Sequence, residues 1–133
     1  MIRRIVATVL FVRDLAKCQE FYRDTLKLQM VESDANGATF VIEDRYMILL
    51  EIASAADLIG SEVDALKTEG GPRMLLAASV EDVDATYEEL KGRGVTLLRP
   101  PTDQHWGLRT AHFADPEGNV WEINQPIEAK TVQ

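Results

Sequence analysis

The sequence predicts an α+β fold of two βαβββ modules that form a curved mixed sheet enclosing a cup. Strand-like and helix-like segments occur in the same order in both halves of the chain. An aspartate opens the helix of each half, within Val12-Arg13-Asp14-Leu15 and within Val80-Glu81-Asp82-Val83. Neither half alone would bury much apolar surface, so we expect the two sheets to combine into one domain over residues 1–133.

The first module is expected over about residues 1–53. Residues 2–12 are almost continuously apolar and β-branched, which is typical of a strand covered on both faces. Asp14 stands at a helix N-cap position, and apolar residues follow it at helical spacing. Three strands, expected over 28–32, 38–42 and 46–52, complete the module. An Asn-Gly turn joins the first two of them.

A segment rich in Ala, Ser, Asp, Glu and Gly follows, at about residues 54–72. Its composition predicts a connector, with a turn of helix around residues 63–67.

The second module is expected over about residues 73–125 and repeats the order of the first. A strand over 73–80 precedes a helix that Asp82 caps and that Gly92 and Gly94 can end. Three further strands are expected over 95–99, 108–114 and 119–125. Pro100-Pro101 ends the first of them, and the turn Asp115-Pro116-Glu117-Gly118 joins the other two. The tail from residue 126 has no periodicity.

Charge and composition exclude several classes of function. The formal net charge is −8, and such an acidic domain is a poor nucleic-acid binder because phosphate contacts need clustered cations. Cys18 is the one cysteine, so neither an intramolecular disulfide nor a multi-cysteine zinc site is expected. The sequence has no signal-peptide pattern and no apolar run of about 20 residues, so we expect a cytoplasmic protein that does not bind membranes.

Two glutamates occupy comparable places in the two modules. Strand alternation puts Glu51 on the same face as Leu49, and Glu122 on the same face as Asn124. Pseudo-twofold packing would bring both carboxylates into one concavity, where they could bind a cation, share a proton or ligate a hard metal ion. The alternative is that each glutamate is merely solvated at a strand end, because a lone Glu is rarely buried.

Short motifs occur in order from about Ile5 to Gln125: Val12-Arg13-Asp14-Leu15, Phe21-Tyr22 and Phe113-Ala114-Asp115-Pro116-Glu117-Gly118-Asn119-Val120-Trp121-Glu122. With these motifs the chain resembles the vicinal oxygen chelate superfamily, which groups glyoxalase I, bleomycin-resistance proteins, fosfomycin-resistance enzymes and ring-cleaving dioxygenases. The resemblance implies paired βαβββ modules, a homodimer and a ligand site inside the cupped sheet.

In the metal-dependent members, the metal ligands lie on the first and fourth strands of each module. The resemblance implies that the matching positions in this chain are Ala7, Glu51, Leu75 and Glu122. The strand-one positions, commonly His or Glu in the superfamily, are here Ala and Leu. Two carboxylates without imidazole would hold zinc, nickel or iron weakly. We therefore expect no cofactor; a divalent metal, if one binds, would be held by Glu51 and Glu122.

The segment Gln104-His105-Trp106-Gly107-Leu108-Arg109 resembles the bleomycin-resistance branch, in which a related segment lies near a metal-free drug groove. Trp106 would offer a flat stacking wall. Arg109 could hold a ligand carboxylate or neutralise Glu122 or Asp115. His105 could hydrogen-bond a ligand or be an exposed loop residue.

His112 lies in the middle of a predicted strand. It could be a proton shuttle facing the cup, but a histidine bonded to the backbone is the favoured interpretation.

The leading hypothesis is a protein that binds a small, partly apolar, cationic or neutral molecule, as a resistance or sequestration protein does. The expected site residues are Glu51, Glu122, Trp106, Arg109, Ala7, Leu49, Leu75, Ala77 and His105. The rival hypothesis is a divalent-metal-dependent lyase, isomerase or dioxygenase that uses Glu51 and Glu122.

Overall fold

The structure, a computed structural model, describes residues 1, 3–63, 66 and 74–127. The chain divides into two units, Met1–Gly70 and Gly71–Gln133. Each unit contains one four-stranded mixed sheet, in the orders β1-β4-β3-β2 and β5-β8-β7-β6. The predicted α+β fold with a repeated βαβββ order is confirmed.

The first unit begins with a strand, a helix and three further strands. Its elements are β1 (Ala7–Val12), α1 (Leu15–Glu20) with a π-helical extension (Phe21–Thr25), β2 (Gln29–Ser33), β3 (Gly37–Ile42), β4 (Arg45–Glu51) and α2 (Ile52–Ile59). Asp14 caps α1, as expected, by accepting a hydrogen bond from the backbone N–H of Lys17 at 3.0 Å. β1 runs parallel to β4, while β3 pairs antiparallel with both β2 and β4.

The core of the first unit lies on the sheet face that α1 and its extension cover. Leu10 and Val12 of β1 and Leu49 of β4 are buried on this face, and Cys18 of the helix is buried as well. The ring of Tyr22, also buried, lies 6.0 Å from the ring of Phe40, between centroids. The other face of the same sheet carries the exposed side chains of Val9 and Tyr46.

The second unit repeats this arrangement with α3 over its sheet. Its elements are β5 (Leu75–Ser79), α3 (Val83–Gly92), β6 (Thr96–Asp103), β7 (Leu108–Ala114) and β8 (Val120–Pro126). Asp82 caps α3 through the N–H of Ala85, and the left-handed Gly94 follows the helix. The buried face of the sheet includes Ala111, Phe113, Trp121 and Ile123, and the rings of Phe113 and Trp121 are stacked.

The turn between β7 and β8 sets the register of the two strands. Asp115 is buried, and its Oδ1 accepts hydrogen bonds from the backbone N–H groups of Glu117 and Asn119. Its Oδ2 accepts a third from the amide of Asn119 at 2.8 Å. Gly118 takes the positive φ that the turn requires. The turn holds β7 and β8 so that His112 lies directly opposite Glu122.

Two expectations about local structure are wrong. The predicted connector begins with a true helix, α2, because Glu51 caps its N-terminus, its Ala-rich sequence favours helix, and the left-handed Gly60 ends it. β6 continues through Pro100-Pro101 to Asp103, since prolines are tolerated on an edge strand where the N–H groups need no partner. The register of β6 shifts on both sides of Arg99.

The strand expected over residues 2–12 begins only at Ala7. Residue 2, most of the expected turn at 63–67, the first residue of the strand expected at 73–80 and the tail from 128 lie outside the described residues. Within the part that the structure describes, no helix is long and apolar enough to cross a bilayer.

Candidate functional site

Glu122 lies on the sheet face of the second unit that α3 does not cover. Ala77 of β5 and His112 of β7 flank it as its register partners on the neighbouring strands. Leu75 and Asn124 lie on the same face, because strand side chains alternate with a period of two. We call this surface, which carries Leu75, Ala77, His112, Glu122 and Asn124, the open face.

The carboxylate of Glu122 is held by two side chains. Its Oε1 lies 3.0 Å from Nε2 of His112, and its Oε2 accepts a hydrogen bond from Nδ2 of Asn124 at 2.8 Å. The side chains of His112 and Glu122 are 19% and 15% exposed, so the pair is largely withdrawn from water but still reachable. The expectation of a backbone partner for His112 is wrong: its bond goes to a carboxylate.

This pairing could have been found from the sequence. Glu117 stands at the centre of the β7–β8 turn, and residues 112 and 122 lie equally far from it on either side. In a tight hairpin such residues face each other. Asn124 follows by alternation as the next residue of the same face.

Two exposed apolar residues of β5, Leu75 and Ala77, lie on the same face as Glu122. Leu75 is 47% exposed, and Ala77 is also exposed. The methyl side chain of Ala77 adds little bulk beside the carboxylate. The open face therefore combines a positioned acidic group with accessible apolar surface.

Glu51 lies in a different environment from Glu122. Its Oε2 accepts hydrogen bonds from the N–H groups of Ala53 and Ser54 at 3.0 and 3.2 Å, so it is the N-cap of α2. Its register partner is the buried Val12, which places Glu51 on the helix-covered face of its sheet. The expectation that the two glutamates occupy matching places in their units is therefore wrong.

Two further residues that the sequence predicts at the site, both in the first unit, also lie on different surfaces. Leu49 is fully buried in the core beneath α1. Ala7 pairs with Tyr46 and lies on the opposite face of the sheet from Leu49, because β1 and β4 alternate in register. Ala7 and Leu49 therefore do not line one surface.

Arg109 links α3 to the end of β6. Its guanidinium makes two hydrogen bonds to Asp84, both 2.8 Å, and one to Asp103 at 2.9 Å. These bonds raise the pKa of Arg109, and the guanidinium lowers the pKa of the Asp84 carboxyl. The expectation that Arg109 neutralises Glu122 or Asp115 is wrong, since its ion-pair partners are Asp84 and Asp103.

His105 and Trp106 lie at the tip of the β6–β7 hairpin. The indole of Trp106 is 58% exposed, and the two rings meet edge to face with centroids 4.8 Å apart. Gly107 turns the chain with a φ of 90°. Trp106 is exposed at this tip and lies six residues before His112 in the sequence.

The residues that the resemblance assigns to a metal do not fit one. Glu51 already caps a helix, and both oxygens of Glu122 are hydrogen-bonded within the second unit. Among the residues that the structure describes, no three His, Cys, Asp or Glu side chains are grouped to hold an ion. We assign no reaction step to a metal.

The comparisons with known proteins agree with this fold. The Glyoxalase/Bleomycin resistance protein/Dioxygenase superfamily model matches residues 4–123. The Bacillus subtilis protein YraH is 38% identical over 117 residues, covering 86% of this chain and 91% of YraH. The metallothiol transferase FosB of Staphylococcus saprophyticus is 23% identical, covering 93% of this chain and 78% of FosB.

Solved structures show the same architecture. A glyoxalase/bleomycin resistance protein/dioxygenase from Nocardioides superposes with a TM-score of 0.84 at 25% identity, covering 100% of this chain and 90% of that one. A lactoylglutathione lyase from Agrobacterium tumefaciens superposes with a TM-score of 0.72 at 19% identity, covering 91% of this chain and 92% of that one. The chain belongs to the Glyoxalase/Bleomycin resistance protein/Dioxygenase superfamily.

Proposed function

We propose that this protein binds a small, partly apolar molecule, cationic or neutral, on the open face of its second unit. The observation that carries the proposal is the Glu122 carboxylate, fixed by His112 and Asn124 beside accessible apolar residues. Small-molecule sites combine mostly apolar surface with a few placed polar groups in this way.

The geometry of Glu122 favours a ligand that donates hydrogen bonds. A carboxylate has about four acceptor positions, and the two protein contacts occupy one on each oxygen. An ammonium or amide group of a ligand could take a remaining position. The net charge of −8 would attract a cation rather than an anion at long range.

The proposed site is smaller than the one expected from the sequence. Glu122, Leu75 and Ala77 stay in it, and His112 and Asn124 join it. Trp106 and His105 would contact only a ligand that extends toward the β6–β7 hairpin. Homodimer formation, a cytoplasmic location and a role in antibiotic resistance stay predictions.

A thermal-shift screen tests the proposal directly. A bound ligand raises the midpoint of unfolding by mass action, so cationic and neutral aromatic compounds are tested against the wild type and Glu122→Gln. We expect hits whose shift is lost in Glu122→Gln but kept in Glu89→Gln, the same chemical change at an exposed site on α3. An absence of wild-type hits, or hits that Glu122→Gln retains, would contradict the proposal.

Because the metallothiol transferase FosB is a relative of this chain, the metal-dependent alternative is tested by a separate measurement. Protein purified without added metal is analysed for zinc, nickel, manganese and iron. Stoichiometric metal that Glu122→Gln abolishes would overturn the metal-free proposal. Metal below about a tenth of the protein concentration, together with ligand-induced shifts, would support it.

A further inference from the structure

We propose that Asn36 is a site of spontaneous deamidation and that the carboxylate of Asp34 controls the rate of this modification. The site lies in the β2–β3 turn of the first unit, so the inference does not depend on the ligand site proposed for the second unit. Asn36 is exposed, and it is the one asparagine of this chain that precedes a glycine.

Deamidation at this position is an attack of the backbone on a side chain. The nitrogen of Gly37 loses its proton and forms a bond to Cγ of Asn36, while the bond from Cγ to Nδ2 breaks. The leaving nitrogen takes up a proton and departs as ammonia, which leaves a succinimide ring in the main chain. Water then opens the ring at one of its two carbonyl carbons, and the product is aspartate or isoaspartate.

The close approach of β3 and β4 keeps a glycine after Asn36. A Cβ at Gly37 would lie 2.6 Å from the carbonyl oxygen of Leu49, so a larger residue cannot stand there without a shift of the backbone. Glycine is also the residue that hinders the attack least, because it has no side chain beside its nitrogen. The packing of the sheet therefore retains a reactive Asn-Gly pair in an exposed turn.

Asp34 holds the attacking nitrogen. Its Oδ1 accepts hydrogen bonds from the N–H of Gly37 at 3.0 Å and from the N–H of Asn36 at 2.7 Å. The nitrogen of Gly37 must leave this carboxylate and become an anion before it can attack. A carboxylate at this distance disfavours the anion, because like charges repel. Asp34 therefore slows the attack both through the hydrogen bond and through its charge.

The peptide unit between Asn36 and Gly37 is also held at its carbonyl end. The carbonyl oxygen of Asn36 accepts a hydrogen bond from the N–H of Glu51 at 2.8 Å. The carbonyl oxygen of Gly37, in the next unit, accepts one from the N–H of Asp34 at 3.0 Å. These bonds restrict the rotation by which the nitrogen of Gly37 approaches Cγ. The folded turn thus opposes a reaction that its sequence favours.

Isoaspartate at residue 36 changes the contact between this turn and the end of β4. In isoaspartate the main chain runs through Cβ and Cγ, so it gains a carbon atom, and the former carbonyl carbon becomes a free carboxylate. The N–H of Glu51 then loses the main-chain carbonyl to which it donates. Because the side chain of Glu51 caps α2, the modification acts where that helix begins.

Hydrogen exchange tests this consequence on the wild type. The protein is aged at mildly alkaline pH, and the isoaspartate form is separated from the unmodified form by ion-exchange chromatography. We expect faster amide exchange at Glu51 in the isoaspartate form, because its N–H has lost its acceptor, and unchanged exchange in α3 of the second unit. Equal exchange at Glu51 in the two forms would contradict the link to β4.

Mass spectrometry tests the role of Asp34 directly. The folded wild type, Asp34→Ala and Asp34→Asn are aged together, and fragment ions locate the modification at residue 36. We expect Asp34→Ala to deamidate at least roughly tenfold faster than the wild type, the factor that corresponds to one hydrogen bond to a charged group. Asp34→Asn keeps an acceptor oxygen but loses the charge, so its rate should lie between the other two. Asn119, which precedes the branched Val120, is the internal control and should stay unmodified.

The same experiment in urea separates the reactivity of the sequence from the protection by the fold. The three unfolded proteins should deamidate at similar rates, all faster than the folded wild type. An Asn36 that does not react in urea would overturn the proposal, and so would a folded wild type that reacts as fast as the unfolded chain. Folded variants that react no faster than the wild type would overturn the role of Asp34. Circular dichroism checks that each variant is folded, and Asp34→Asn decides the outcome if Asp34→Ala is not.

Discussion

Replacing Asp115 with alanine should destabilise the second unit strongly. Asp115 is 4% exposed, and its carboxylate accepts three hydrogen bonds within the β7–β8 turn, two from backbone N–H groups and one from the amide of Asn119. Hydrogen bonds to a charged group contribute about 1.5 kcal/mol each at the lower end, and water can reach part of the turn after truncation. We therefore expect a loss of about 3 kcal/mol.

Circular dichroism during thermal unfolding measures this effect. For a chain of this length, 1 kcal/mol corresponds to roughly 4 °C, so Tm should fall by about 12 °C. Asp115→Asn keeps Oδ1 for the two backbone groups and loses one of the three bonds, so its Tm should fall about a third as far. The exposed Asp44 serves as the control, and Asp44→Ala should change stability by less than about 0.5 kcal/mol. Equal Tm values for Asp115→Ala and Asp44→Ala would refute the reasoning.

Three further predictions follow from named contacts. Glu51→Ala should cost about 1 kcal/mol and speed amide exchange at Ala53 and Ser54, because α2 loses its cap; unchanged exchange would contradict the capping role. Gly37→Ala should cost at least about 2 kcal/mol in urea unfolding, since a Cβ there would lie 2.6 Å from the carbonyl oxygen of Leu49, whereas Gly92→Ala, with open space around it, should not destabilise. Arg109 lowers the pKa of Asp84 from its ordinary 3.8. The ion pair between them therefore stabilises the fold above pH 3.8, and this contribution is lost as the pH falls through the lowered pKa. The Tm difference between the wild type and Arg109→Gln should shrink toward about pH 2.

Much of the fold could be predicted because its signals are local. Asp14 and Asp82 are followed by helical spacing, and each caps its helix as expected. The Asp115 turn and the apolar alternation around it predicted β7 and β8 within a residue. The repeat of these signals gave the βαβββ order twice.

The helix α2 was missed because its capping residue ends a strand. Glu51 continues the alternation of β4, and no Ser, Thr, Asp or Asn stands at the cap position to announce a helix. Capping by Glu also explains why the predicted carboxylate pair failed. Alternation shows which residues share a face, but it does not show which face a helix covers.

The polar cluster on the open face was missed for a different reason. His112 and Glu122 pair through hairpin register, which the turn at Asp115 fixes, and the alternation within either strand alone does not show this pairing. Arg109 was assigned wrong partners because Asp84 precedes it by 25 residues and meets it only through tertiary packing. Contacts between elements that are distant in sequence have no local signal.

The most direct test of the proposed site compares its glutamate with the one that caps α2. Isothermal titration calorimetry is carried out with a compound that stabilises the wild type, using Glu122→Gln and Glu51→Gln under identical conditions. Glu122→Gln should weaken binding at least roughly tenfold, which is the loss of one charge-assisted hydrogen bond, whereas Glu51→Gln should bind like the wild type. Binding that survives Glu122→Gln, or that Glu51→Gln weakens equally, would contradict the assignment of the ligand to the open face.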